Sequence, residues 1–190
     1  MLETPRALLI AVVAIAAVSA CDDSTGIRAS SVNTEHSVQV FAMNGTPITL
    51  PAAITMRSGS AVRIDASFIF DIAFDLNAQG RVQLYTQRMV ANELSATHRV
   101  GLQTQVAPFD EILRAPTSGY VYDSTLTLGP GEVVLVDVLD QSCAGSFLGA
   151  NVRAKMRVDS VQASTRSIFL HFLVNPNCGF RSLVQGTPKD

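Results

Sequence analysis

Two aspartates, Asp71 and Asp75, stand four residues apart in "FIFDIAFDLNAQGRV", a pairing that acid–base or metal chemistry could use. The flanking pattern decides between chemistry and scaffold. From Val62 the even positions Val62, Ile64, Ala66, Phe68, Phe70, Ile72, Phe74 and Leu76 are apolar. The odd ones, Arg63, Asp65, Ser67, Ile69, Asp71, Ala73 and Asp75, are mostly polar. A period of two over this length predicts one long strand, bent or bulged near Ala66 and Ser67. Along a strand the two carboxylates lie about 13 Å apart. That is too far for one calcium ion, whose oxygen ligands sit at about 2.4 Å. It also exceeds the ~5 Å of a retaining glycosidase pair. Both aspartates are therefore expected on a solvated strand face, and a site would need ligands from another strand beside one of them. With Gly80 in the left-handed conformation of a three-residue loop, Leu76 faces Val82, Phe74 faces Leu84, and Asp75 faces Gln83, diagonal to Arg81.

Other reactive side chains are dispersed. His36 lies in the expected tether, His98 begins "HRVGLQ", and His171 sits inside the apolar run "SIFLHFLV", where a hydrogen-bonded core or boundary role is expected. "AGSFLGA" puts Ser146 in the wrong setting for a nucleophile elbow, and zincin, Walker and Rossmann motifs are missing. No catalytic residue, metal site or cofactor is expected. Arg153, Lys155 and Arg157 alternate in "NVRAKMRVDSV", giving a cationic stripe with side chains about 7 Å apart. The stripe is either a contact for anionic lipid or glycan, or a solvated face balanced by carboxylates on the next strand. Tyr120 and Tyr122 share a face, as a small binding patch or as cross-strand packing. With no tryptophan, the usual sugar-stacking platform is missing.

Three cysteines complete the inventory: Cys21, Cys143 and Cys178. Cys143 in "DQSCAGS" and Cys178 in "NPNCGFR" are expected to form a disulfide, with two free thiols or, less well supported by the spacing, a metal site as alternatives. The bridge would close a loop of about 36 residues and stabilise by roughly 3–4 kcal/mol. Upstream, "MLETPRALLIAVVAIAAVSAC" has Arg6, then an uncharged apolar run from Ala7 to Val18. The run is shorter than the ~20 residues that span a bilayer and suits a secretion signal. Val18-Ser19-Ala20-Cys21 resembles the lipobox of bacterial lipoproteins. That resemblance implies cleavage before Cys21, a diacylglyceryl thioether on its sulfur and acylation, palmitate included, of its new amine. An ordinary signal peptide cut after Ala20 and an uncleaved anchor are the alternatives. Parity favours lipidation, because modifying Cys21 leaves an even pair for an oxidising compartment.

These residues must be positioned by strands. After the anchor, "DDSTGIRASSVNTEH" reads as a flexible tether. Asn44-Gly45 between "SVQVFAM" and "TPITL" is a hairpin signal. Gly129-Pro130-Gly131 separates "YVYDSTLTL" from "EVVLVDVL". "SIFLHFLV" is apolar on both faces, like a central strand between layers. "QRMVANELSATHRV" is the best candidate for a short helical turn. The expected fold is all-β, an antiparallel sandwich of about nine to eleven strands, with a barrel as the alternative. Its organisation is a signal peptide over 1–20, lipidated Cys21 and tether over 21–36, and one domain over 37–190. Leu128, Pro130, Gly131, Glu132 and Val136 in "LTLGPGEVVLV" resemble a turn common in bacterial immunoglobulin-like domains.

A net charge of −2 with 16% charged residues gives no field for nucleic acid, while 47% apolar residues supply a core. The expected function is a non-catalytic binding or scaffolding module of the bacterial cell envelope, extracytoplasmic and lipid-anchored. Its partners would be the membrane and another envelope protein or an anionic lipid or glycan. The alternatives are a carrier of a small or apolar ligand in a barrel interior, and an envelope hydrolase with a loop-built site.

Overall fold

The computed structural model describes residues 27–65, 69–91, 98–122 and 124–188. Among these, eleven strands alternate with little helix: β1 (Thr34–Phe41), β2 (Ala53–Thr55), β3 (Ser60–Val62), β4 (Ile72–Leu76), β5 (Val82–Thr86), β6 (Arg99–Gln105), β7 (Val121–Tyr122), β8 (Leu126–Leu128), β9 (Val133–Leu139), β10 (Asn151–Gln162) and β11 (Ser167–Asn175). The short helix α1 (Gln87–Ala91) lies where the helical turn was expected. The strands form a six-stranded sheet, ordered β1-β11-β10-β9-β6-β7, and a five-stranded sheet, ordered β3-β2-β4-β5-β8. Neighbours are antiparallel throughout. The chain is an all-β sandwich.

Alternation drives the packing. Val152, Ala154, Met156 and Val158 of β10 point into the space between the sheets, and Arg153 and Arg157 do not. Phe74, Phe172, Met56, Met156, Ile72 and Leu84 fill that space with no solvent exposure. Each such side chain contributes about 1.5–3 kcal/mol through burial. The outer faces are covered as well. Phe109, Ile112, Ala115 and Leu183 pack on Val133, Leu135 and Leu173 of the six-stranded sheet. Phe70 packs on Ala53 and Ala73 of the other. This second layer explains why β9 and β11 are apolar on both faces.

Register fixes two ends. Thr34 faces Val174, and Asn151 faces Leu139, so the N-terminal end gathers the starts of β1 and β10 with the finish of β9 and β11. Phe41 faces Ser167 at the far end, about 24 Å away along β1.

Several local expectations need correcting. The alternating run from Val62 to Leu76 is two strands, because β3 and β4 pair with opposite edges of β2. The chain must leave the sheet between them, and Phe70 then folds onto the outer face. The bend expected at Ala66 and Ser67 lies outside the described residues. Asn44-Gly45 does turn, with Gly45 at φ +76°, but it makes no hairpin. β1 pairs only with β11, and the chain passes through a second turn at 47–50 into the opposite sheet. Pro47 and Pro51 remove donors that a returning strand would need. Gly129-Pro130-Gly131 likewise joins β8 of one sheet to β9 of the other. The tether expected to reach His36 is shorter. The backbone N–H groups of Ser30 and Ser31 donate to Asn177 Oδ1 at 3.0 and 2.9 Å, and Asn33 bridges to Gly186. The Asn33 side-chain amide adds bonds to the carbonyls of Ser182 and Val184 at 3.0 and 2.9 Å.

The loop after β4 forms as the pattern implied. Gly80 has φ +72°, Leu76 faces Val82, Phe74 faces Leu84 and Asp75 faces Gln83.

Candidate functional site

Asp71 and Asp75 are not solvated. They are 6% and 5% exposed, towards opposite ends of β4, and each has its own partners. Asp71 accepts from the backbone N–H of Met56 at 2.5 Å and pairs with His98 Nε2 at 2.9 Å. That hydrogen bond to Asp71 raises the His98 pKa above its usual 6.5, against an opposing effect of burial. Asp75 accepts from the side-chain amide of Asn44, from the N–H of Leu76 at 2.8 Å and from Arg166 at 3.0 Å. A buried carboxylate is tolerated when cations and N–H donors replace its water. The fold brings those donors from distant segments, so a face that reads as wet becomes covered. Arg81, expected diagonal to Asp75, instead grips Glu132 with bonds of 3.0 and 2.8 Å. The N–H of Gly129, ahead of Arg81, lowers the Glu132 pKa.

The cationic stripe is also turned to internal use. Arg153 pairs with Asp137, its cross-strand neighbour, at 3.1 Å and donates to Gly179 O at 3.0 Å. Lys155 is 4% exposed. Its ammonium donates to the carbonyls of Phe109 and Ile112 at 2.8 and 3.0 Å and lies 4.4 Å from the Phe109 ring centre. Burial pushes its pKa down. Arg157 bonds Asp159 at 2.8 Å. The balancing carboxylate on the next strand is therefore present for Arg153, and an anionic-surface contact is not available at Lys155. The segment carrying Phe109 and Ile112 covers the middle of the stripe.

Tyr120 and Tyr122 pack over Gly101, where an added Cβ would approach them to 2.9 and 2.8 Å. Tyr122 donates its hydroxyl to Asp137 at 2.7 Å, and burial followed by that bond pushes its pKa to about 12. Burial raises Tyr120 further. Asp137, which also accepts from the Asn151 amide, is the hub that sequence reasoning passed over. Its signal was present: one carboxylate inside the apolar run "VVLVDVL" requires buried donors.

Cys143 and Cys178 are bonded, with Cα atoms 5.4 Å apart, at the N-terminal end. Asp140 accepts from Ser142 N at 2.8 Å and from Arg57 at 2.8 Å, tying the two sheets together there. Ser146 donates to Cys178 O at 3.2 Å, and Gly179 N donates to Asn151 O at 2.8 Å. Gly179, at φ +79°, lies so close to Leu148 that a Cβ would sit 2.3 Å from its carbonyl. This bracing presents Phe147 at full exposure beside half-covered Leu148. Cys21 lies outside the described residues.

His171 bonds Ser37 Oγ at 3.1 Å and touches the Phe109 ring edge, in keeping with a boundary role. Ser146 is part of the loop bracing described above. Among the described residues, no three His, Cys, Asp or Glu side chains converge as a metal site would require. Clefts among the described residues open at the surface and include about 610 Å³ at Thr49, Ala61, Arg63 and Ile69, about 380 Å³ at Ile27, Arg114, Leu148, Gly179 and Arg181, about 180 Å³ at Met43, Ile48 and Ile64, and about 160 Å³ at Leu102, Gly119 and Leu126.

No protein-family model, no curated protein and no solved structure matches this chain.

Proposed function

We propose that this chain is a lipid-anchored β-sandwich of the bacterial cell envelope that binds or scaffolds and does not catalyse. The observation that carries it is the cysteine arrangement. Cys143 and Cys178 are joined, which leaves Cys21 as the single cysteine outside the bridge, at the position a lipobox assigns to the acyl chains. A structural disulfide belongs to an oxidising, extracytoplasmic compartment. Two further facts favour binding over chemistry or transport. The carboxylates of Asp71, Asp75 and Asp137 and the ammonium of Lys155 hold the protein's own segments together. The space between the sheets is filled by Phe74, Phe172, Met56 and Met156, whereas a carrier interior would be hollow.

Metabolic labelling with palmitate tests the anchor: the full chain takes up label and Cys21→Ala does not. Label retained in Cys21→Ala would overturn the lipoprotein reading. Affinity capture from envelope extract, with the anchored chain as bait, then identifies the partner.

A further inference from the structure

We infer that the braced loop carrying Phe147 and Leu148 seats in the membrane that holds the lipid anchor, so that the sandwich stands on its N-terminal end. The inference rests on the lipidation of Cys21 proposed above and adds a second membrane contact with a defined orientation.

Chain length supplies the first argument. Ile27 is six residues downstream of Cys21, so the chain between them reaches about 20 Å at most. Ile27 lines the same groove as Leu148. The groove is therefore held within that distance of the acylated residue, whose chains sit in the bilayer. The far end, where Ile48 lies, stands about 24 Å further along β1.

Loop chemistry supplies the second. Phe147 is 102% exposed, Ile27 59% and Leu148 42% at the anchored end; Ile48 at 87% and Val106 at 105% are as exposed at the far end, so chain length and not exposure chooses which end meets the membrane. The surface at the anchored end is preformed. The disulfide, the Ser146 bond to Cys178 O and the close contact of Gly179 with Leu148 hold the loop, so seating it orders little further chain. Arg114 and Arg181 line the same groove, so basic side chains stand beside its apolar ones, and Arg181 is held there by a 2.7 Å bond to Ala115 O. Apolar side chains that enter the acyl boundary beneath a cationic rim describe an interfacial membrane contact. Because the anchor keeps the loop at the surface, a small apolar area suffices to keep it seated.

The chain contains no tryptophan, so one introduced indole reports its position without background. Phe147→Trp and, as the far-end reference, Ile48→Trp are each made in the full chain, processed in bacteria and reconstituted into vesicles with or without brominated acyl chains. Mass spectrometry of the N-terminal peptide records acylation of Cys21 separately. Expected is at least a twofold loss of emission with brominated lipid for Phe147→Trp and none for Ile48→Trp. Equal quenching at both positions, or none at 147 in acylated protein, would overturn the seated orientation and leave the anchor intact. If Cys21 is not acylated, the anchor reading fails. A chain beginning at Cys21, coupled through that thiol to a maleimide phospholipid, then puts the loop to the same quenching comparison, with the same two outcomes.

Discussion

At the scale of single residues, this protein stabilises charge by enclosing it with donors from remote segments. Arg166 is the clearest instance. Its guanidinium reaches Asp75 Oδ1 at 3.0 Å and the carbonyls of Asn44 and Leu76 at 2.8 and 3.3 Å, closing the far end of the sandwich. Its backbone is strained, with φ 51° in a non-glycine residue. Two substitutions separate side chain from backbone. Arg166→Ala leaves Asp75 buried without a cation and should cost about 2–3 kcal/mol, below the full value for a buried pair because Arg166 is a third exposed. Arg166→Gly loses the same bonds but relieves the left-handed strain, and should be more stable than Arg166→Ala by about 1 kcal/mol. Urea denaturation of the three proteins checks both differences. Equal stability of Ala and wild type would show that Asn44 and Leu76 alone hold the Asp75 carboxylate.

At the scale of elements, the sheets are rigid where ladders are long, and the N-terminal end depends on cross-links. β10 and β11 pair over nearly their whole length, with one shift between Val158 and Ser160. The segment joining β9 to β10 has only a 3-10 turn at Gln141–Cys143 and is pinned by the Cys143 bridge, the Arg57–Asp140 pair and the Gly179 contact. Replacing both cysteines by serine should lower stability by about 3–4 kcal/mol, as expected for opening a loop of this size. The loss should be accompanied by protease cleavage between residues 140 and 150 while the remaining ladders stay protected from hydrogen exchange. Unchanged stability in reducing and non-reducing urea titrations would contradict this role for the bridge.

At the scale of the whole molecule, folding stability should carry a pH signature from His98 and Asp71, which join the residue ahead of β4 to the residue ahead of β6. The folded-state pKa of His98 is raised, so its stabilising contribution is complete below about pH 6.5 and is lost as the pH rises through the folded value. Global stability should therefore fall with rising pH above about 6.5, and His98→Gln should flatten that slope in denaturation series at matched ionic strength. A wild-type slope that His98→Gln leaves unchanged would assign the dependence to other groups. The sequence by itself determined the all-β class and the pairing of Asp75 with Gln83, and made a Cys143–Cys178 bridge the expected pairing. These follow from local alternation, turn chemistry and cysteine parity. The tertiary structure decided what local pattern does not encode: that Asn44-Gly45 leads to the other sheet, that one alternating run becomes β3 and β4 on either side of β2, and that Asp71, Asp75 and Lys155 are buried. A side chain's solvent exposure depends on which distant segment lies over it, and here the covering groups come from His98, Arg166 and the carbonyls of Phe109 and Ile112, all far away in the chain.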